Sequence, residues 1–236
     1  MEMRTQIGKR PTLGKGTVGD MLDQTSHELD QLPEGSILRS VTATPADVAG
    51  RKALRVELTD DVTFNGRPGV DYVDRPTFVI IPAGLTVGTI EVDILSRLND
   101  KGPADARAFA GLAYRIVDGG DGFEAVYLRP LNGRKTNPPA PRDQRAIQYF
   151  AYPDWPFGRL REEYPDGRYE AGADIGPDEW TNLKIDIDRT RLTAWIDGTE
   201  VLRVAETKAT PATGAVGLFV DIGSESYFSN LTIRLR

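Results

Sequence analysis

Glu91 and Asp93 stand two apart in a stretch, residues 89–95, where apolar and polar side chains alternate strictly. Side chains of a β-strand alternate between its faces, so both carboxylates share one face, with Ile90, Val92 and Ile94 on the other. Residues two apart on a strand are about 6.5–7 Å apart along the backbone. Cleavage of a glycosidic bond by paired carboxyl groups needs roughly 5–5.5 Å for retention or 6.5–9.5 Å for inversion. Glu91 and Asp93 are therefore one candidate catalytic pair, with mutual repulsion raising one pKa. Tyr127 is a second candidate. Beside Arg115 or Arg129, its phenol would have a lowered pKa and could serve as the base of an elimination. Arg115, Arg129 and Gln148 would grip hydroxyl groups. Tyr152, Trp155 and Arg161, in the loop that follows, would form the rim of a sugar site.

These residues need strands to hold them. The last third of the chain reads as four or five short strands, over 180–188, 191–197, 200–204, 214–222 and 227–235, separated by turn residues. Upstream, strands are predicted over 36–42, 53–58, 78–81, 89–95, 108–117, 123–131 and 145–151. The loop Asp118-Gly-Gly-Asp-Gly122 joins two of them as a hairpin. Residues 132–144 carry Pro138, Pro139 and Pro141 and cannot be a central strand. Residues 152–177, with four prolines and four glycines, read as a long ordered loop. A short helix is predicted after a cap at Thr17, from the spacing of Val18, Met21, Leu22, Leu29 and Leu32.

The apolar sets Leu183, Ile185, Ile187 and Leu192, Ala194, Ile196 define a core between two sheets. The same rule places Leu112, Tyr114, Ile116, Val126 and Leu128 inside. Glu91, Asp93, Arg115, Tyr127, Arg129 and Gln148 then point outward. If their strands are neighbours, they form one patch on a concave sheet. The competing reading is an ordinary solvent face with cross-strand ion pairs of about 0–1 kcal/mol each.

The 236 residues suit one sandwich domain, residues 36–236, with an N-terminal extension over 1–35 packed on it. The 29 basic and 35 acidic residues give a net charge of −6, which argues against nucleic acid as partner. With no cysteine and one histidine, His27, there is no thiolate site, no histidine metal cluster and no Ser-His-Asp triad built elsewhere. No stretch approaches the ~20 apolar residues of a membrane span. Residues 1–16 contain no apolar run of signal-peptide type, so the expected location is cytoplasmic for this chain, or periplasmic or secreted where a leader has been removed.

The segments Phe109-Ala-Gly-Leu-Ala-Tyr-Arg115, Phe123-Glu-Ala-Val-Tyr-Leu-Arg-Pro130, Trp180-Thr-Asn-Leu-Lys-Ile185, Leu192-Thr-Ala-Trp-Ile-Asp-Gly198, Gly214-Ala-Val-Gly-Leu-Phe219 and Tyr227-Phe-Ser-Asn-Leu-Thr-Ile233 resemble the concanavalin A-like lectin/glucanase superfamily. They are similar to bacterial laminin-G-like and 3-keto-disaccharide hydrolase-like domains. The resemblance implies an all-β fold, an antiparallel β-sandwich of the concanavalin A-like jelly-roll type, with a short N-terminal helix at most. It also implies a carbohydrate ligand. Glu91-Val-Asp93-Ile-Leu-Ser96 resembles the Glu-x-Asp-x-x-Glu signature of retaining β-glucanases, in which the first Glu is the nucleophile, the Asp orients it and the last Glu is the acid. Ser96 cannot protonate a leaving group, so that activity is not implied. Folds of this group often carry a structural calcium, for which Asp118, Asp121 and Asp221 are the candidates; no catalytic cofactor or metal is expected. The expected function is a carbohydrate-active enzyme cleaving a glycosidic bond, a glycoside hydrolase or sugar lyase. The alternatives are a non-catalytic, lectin-like binding module, or a structural or adhesion domain with no small ligand.

Overall fold

A computed structural model describes residues 23–236. In chain order the strands are β1 (Gln24–His27), β2 (Ile37–Arg39), β3 (Val41–Val48), β4 (Arg51–Leu58), β5 (Phe78–Leu85), β6 (Gly88–Leu98), β7 (Ala110–Val117) and β8 (Gly122–Leu128). They continue with β9 (Ile147–Tyr152), β10 (Glu170–Ala171), β11 (Trp180–Ile187), β12 (Leu192–Ile196), β13 (Thr199–Val204), β14 (Gly214–Val220) and β15 (Ser224–Leu235). Two short helices, α1 (Asp60–Asn65) and α2 (Phe157–Glu163), lie in the connections. The segment with Pro138, Pro139 and Pro141 forms 3-10 turns and no strand, because proline offers no ladder donor.

The strands form two antiparallel sheets packed face to face. The first runs β13-β12-β11-β6-β15-β4-β3, with β1 paired to the end of β15. The second runs β10-β9-β8-β7-β14-β5-β2. The sandwich expected from the sequence is thus present. Ile90, Val92, Ile94, Leu183, Ile185, Ile187, Leu112, Val126 and Leu128 are all buried in its core. Each such side chain withdrawn from water contributes about 1.5–3 kcal/mol before entropy is counted.

The predicted N-terminal helix finds no counterpart where it can be checked. Val18, Met21 and Leu22 lie outside the described residues. Residues 24–27 form β1, whose backbone ladder to residues 231–234 outweighs a weak helical spacing. Helix α1 was not legible as a pattern of apolar residues, since none of its residues is buried. Its signal is local: Thr59 accepts the Val62 amide at 3.3 Å, with Asp60 and Asp61 in the first turn.

The two sheets differ in one respect that decides where a ligand can sit. On the first sheet, β11 is half-buried and buried in strict alternation, so its outer face meets water. On the second sheet, every residue from Phe123 to Leu128 is buried. Both faces of that sheet are therefore covered. The segment after α1, the turns after β8 and the long loop holding α2 supply the outer cover. Gly111 permits the close pairing of β7 and β8 there, because a Cβ on it would stand 2.2 Å from the Val126 carbonyl oxygen and 2.4 Å from the Tyr127 Cα.

Candidate functional site

The cover of the second sheet leaves a cleft of about 390 Å³. Its floor is Tyr127 on β8, with Phe109 before β7 and Arg129 after β8; its walls include Tyr72, Asp74, Phe157 and Arg161. Phe123, Phe150 and Phe219 pack edge-on or tilted around one another and around Tyr127, so the floor is rigid.

Asp74 is a carboxyl of this cleft whose acidity is strongly perturbed. It lies in a turn where Val73 and Asp74 both adopt left-handed backbone, φ 68° and 56°. Asp221, just past β14, holds that turn: its carboxylate accepts the amides of Val73 at 3.0 Å, Asp74 at 3.1 Å and Ile222 at 2.7 Å. Charge-assisted hydrogen bonds contribute about 1.5–3 kcal/mol each and offset the strain. Asp74 is 2% exposed; its Oδ2 accepts the Phe157 amide at 2.6 Å, and among the described residues its Oδ1 has no hydrogen-bond partner. Burial first, and then the nearby Asp221 charge, push the Asp74 carboxyl up to about 7, against the pull of the Phe157 amide and Arg129. Burial raises Asp221 as well, although its three amide donors oppose this.

Arg129 completes the group. It donates to the Tyr127 hydroxyl at 2.6 Å and lies over the rings of Tyr127 and Phe157. From the sequence alone the guanidinium is expected to lower the phenol's pKa. Burial outweighs it, and the Tyr127 phenol is raised well above its ordinary value. At neutral pH Tyr127 is a proton-bearing hydrogen-bonding group and not a base. The cleft thus sets a carboxyl that changes charge near pH 7 beside a fixed cation and a neutral phenol.

The expected single patch does not form. Tyr127, Arg129 and Arg161 line the cleft on the outer face of the second sheet. Glu91 and Asp93 lie on the outer face of the first, so the whole thickness of the sandwich separates the two groups, with about 10 Å between the sheets alone. The reason is topological: β6 pairs with β11 and β15, never with β7 or β8. Asp93 accepts from Arg51, Asn182 and Asn230, each at 2.9 Å, and Glu91 faces Arg234 at 3.8 Å. They make the ordinary cross-strand contacts of a solvent face.

Arg115 is also placed elsewhere. The β7–β8 register slips between Tyr114 and Val117, and Arg115 takes φ 53°, so strict alternation fails at this bulge. Its guanidinium turns between the sheets, to Glu124 at 2.7 Å and to the carbonyls of Thr86 and Asp188, each within 2.8 Å. Gln148 stands opposite Tyr127, but its amide donates to the carbonyls of Tyr149 and Tyr169, fastening β10. Tyr152 stacks on Phe123, and Trp155 packs with Tyr164 around Lys208; neither lines the cleft. The three calcium candidates do not converge. Asp118 and Asp121 sit in the hairpin beyond Val117, whereas Asp221 follows Val220, which pairs with Ala110 at the far end of β7. Among the described residues no group of three or more His, Cys, Asp or Glu is arranged to hold a metal ion.

Asp74, Arg107, Arg142 and Arg145 also line the cleft and were not singled out from the sequence. For Asp74 a signal existed. Gly66-Arg-Pro-Gly-Val-Asp-Tyr-Val-Asp-Arg-Pro76 is a turn-rich segment between two strands, and such segments carry function more often than strand interiors do.

Comparison with known proteins agrees with this architecture. A solved carbohydrate-binding module, CBM66 from Bacillus subtilis, is similar at 14% identity over 84% of this chain and 96% of its own, with a TM-score of 0.50. A Bacillus subtilis protein of unknown function with a galectin-like fold matches at 10% identity over 89% and 94% of the two chains, TM-score 0.49. Galectin LEC-6 from Caenorhabditis elegans matches at 12% identity over 69% and 93%, TM-score 0.41. At 14% identity the likeness to the carbohydrate-binding module is one of fold. No match is found among curated protein sequences. The sequence model of the 3-keto-alpha-glucoside-1,2-lyase-like domain matches residues 84–234. The chain is therefore a carbohydrate-related β-sandwich of the concanavalin A-like superfamily and belongs to the 3-keto-alpha-glucoside-1,2-lyase-like domain family.

Proposed function

We propose that the chain is an enzyme that cleaves a glycosidic bond by elimination, with a 3-keto glycoside bound in the cleft of the second sheet. The observation that carries this reading is Asp74, a buried carboxyl raised to about 7 whose Oδ1 is uncommitted. Hydrolysis by a carboxyl pair needs a second available carboxyl group, and the Asp221 oxygens are already committed to three amides. Elimination needs one base and one cation.

A ketone at C3 acidifies the C2–H bond. Asp74 takes the C2 proton, and the electron pair moves onto the ketone oxygen as an enolate. Arg129 stabilises that charge, as a fixed cation in a dry site does. The enolate then collapses to a C1–C2 double bond and expels the glycosidic oxygen from C1. The departing oxygen takes a proton, donated by the Tyr127 hydroxyl and restored from solvent. The products are an unsaturated keto sugar and a free alcohol, so no water is consumed.

The family name supports the bond and the sugar; of the carboxyls lining the cleft, Asp221 is committed to amides and Asp105 is exposed to solvent, which leaves Asp74 as the buried one and supports elimination over hydrolysis. The test is incubation with 3-keto glucosides and with the parent glucosides. The expected result is release of the alcohol with an enone absorbance from the keto substrates alone, and a loss of about 100-fold or more in Asp74→Asn. Binding without turnover at any pH would favour the lectin-like reading.

A further inference from the structure

The cleft carries more arginine than its acids can pair. Arg107, Arg129, Arg142, Arg145 and Arg161 line it, on a molecule whose net charge is −6. Three of these converge on one buried carboxylate: Glu170 meets Arg161 at 2.5 Å, Arg145 at 3.1 Å and Arg129 at 3.5 Å. Arg161, expected from the sequence on the rim of a sugar site, is thereby committed to the protein itself, as are Arg159 to Glu163 and Arg168 to Asp166.

Arg107 and Arg142 differ. Among the described residues the Arg107 guanidinium donates only to the backbone carbonyls of Ala104 and Ala106. Among the described residues neither guanidinium has a carboxylate within ion-pair distance, and the nearby Asp105 stays beyond it. Burial first, and then the charge of Arg142 on the same cleft wall, lower the Arg107 pKa. Like charges held side by side at a cavity wall cost free energy, and an oxyanion between them turns the repulsion into two charge-assisted contacts.

We propose that Arg107 and Arg142 form a subsite for an anionic substituent, so that the ligand of this cleft is a glycoside bearing a carboxylate or a sulfate ester. The inference rests on the cleft being the sugar site; it adds the charge of the sugar. Neutral glycosides bind through the floor and Asp74 but leave the two guanidiniums unpaired.

The test is calorimetric titration with methyl glucoside, methyl glucuronide and glucose 6-sulfate, at low and high ionic strength. At low ionic strength an anionic sugar is expected to bind about tenfold tighter than the glucoside or better, and added salt should erode the advantage. A preference for both anionic sugars identifies charge as the selected property; a preference for the glucuronide alone identifies the planar carboxylate. Arg142→Gln, an exposed position, and the double variant with Arg107→Gln should lose the advantage and keep the glucoside affinity, with unfolding temperatures showing the fold intact. Equal affinity for all three sugars, or a preference that survives in both variants, overturns the subsite and leaves the sugar cleft standing. Failure of all three to bind also overturns the subsite, while turnover of the 3-keto glucosides tests the sugar cleft separately.

Discussion

The Phe157 amide donates to Asp74 at 2.6 Å, joining two loops 83 residues apart across the outer face of the second sheet. This contact closes the wall of the cleft and fixes one carboxyl oxygen, leaving the other free. Neither loop has a strand ladder at that point. The Asp74 position is set by Asp221 from one side and by α2 from the other.

Asp74 should make folding less favourable as pH rises. An acid whose pKa is raised in the folded state holds its proton there when the unfolded chain has released it. Stability then falls between about pH 4 and about pH 7 and levels off above. Asp74→Asn removes that penalty. In chemical denaturation the variant is expected to match the wild type near pH 4 and to exceed it at pH 8, by on the order of 1–4 kcal/mol. Equal stability at both pH values would show that the Asp74 pKa is ordinary.

The Arg115–Glu124 pair lies almost wholly out of water, with side chains 2% and 0% exposed. Breaking such a pair on one side leaves an uncompensated charge and costs about 3–5 kcal/mol. Glu124→Gln is expected to show that loss in denaturant unfolding, and to retain ligand affinity at temperatures where it stays folded. Loss of affinity in a fully folded variant would link the interior pair to the cleft.

Glu91→Gln and Asp93→Asn should leave turnover unchanged and alter stability by no more than about 1 kcal/mol, because both residues sit on the face opposite the cleft in partly solvated polar contacts. A steady-state comparison with the wild type checks this. A tenfold drop in kcat for either variant would return the chemistry to the first sheet.

Gly111→Ala should destabilise the protein and disturb the cleft together. The added Cβ meets backbone atoms of Val126 and Tyr127, which cannot swing aside as a flexible side chain could. Overpacking of this kind costs about 1–3 kcal/mol or more, and the strand it displaces carries Tyr127. Thermal unfolding and ligand titration on the same sample check the pair of effects; an unperturbed variant would mean that β7 and β8 separate freely.

The sandwich was legible because two-residue periodicity survives wherever one face of a strand meets water. β6 and β11 show it, and their core residues fell where alternation put them. The same rule also sent Tyr127 and Arg129 away from the inter-sheet core. It failed at Arg115, where a bulge inserts an extra residue and reverses the facing, an event with no apolar signature. It could not join strands into sheets. A shared patch of Glu91 and Tyr127 is conditional on their strands being neighbours, and pairing in this fold instead links β6 to β15 and β14 to β7 across long connections. Asp74 escaped because its acidity comes from burial by chain segments distant in sequence, and no local pattern records that.

The most direct test of the cleft as the site is a crystal structure with a 3-keto C-glycoside, whose carbon linkage cannot be expelled. The account expects the sugar ring on the floor made by Tyr127, with C2 against Asp74 and the ketone oxygen within hydrogen-bond reach of Arg129. Density over Glu91 and Asp93 on the other sheet, with the cleft empty, would contradict it.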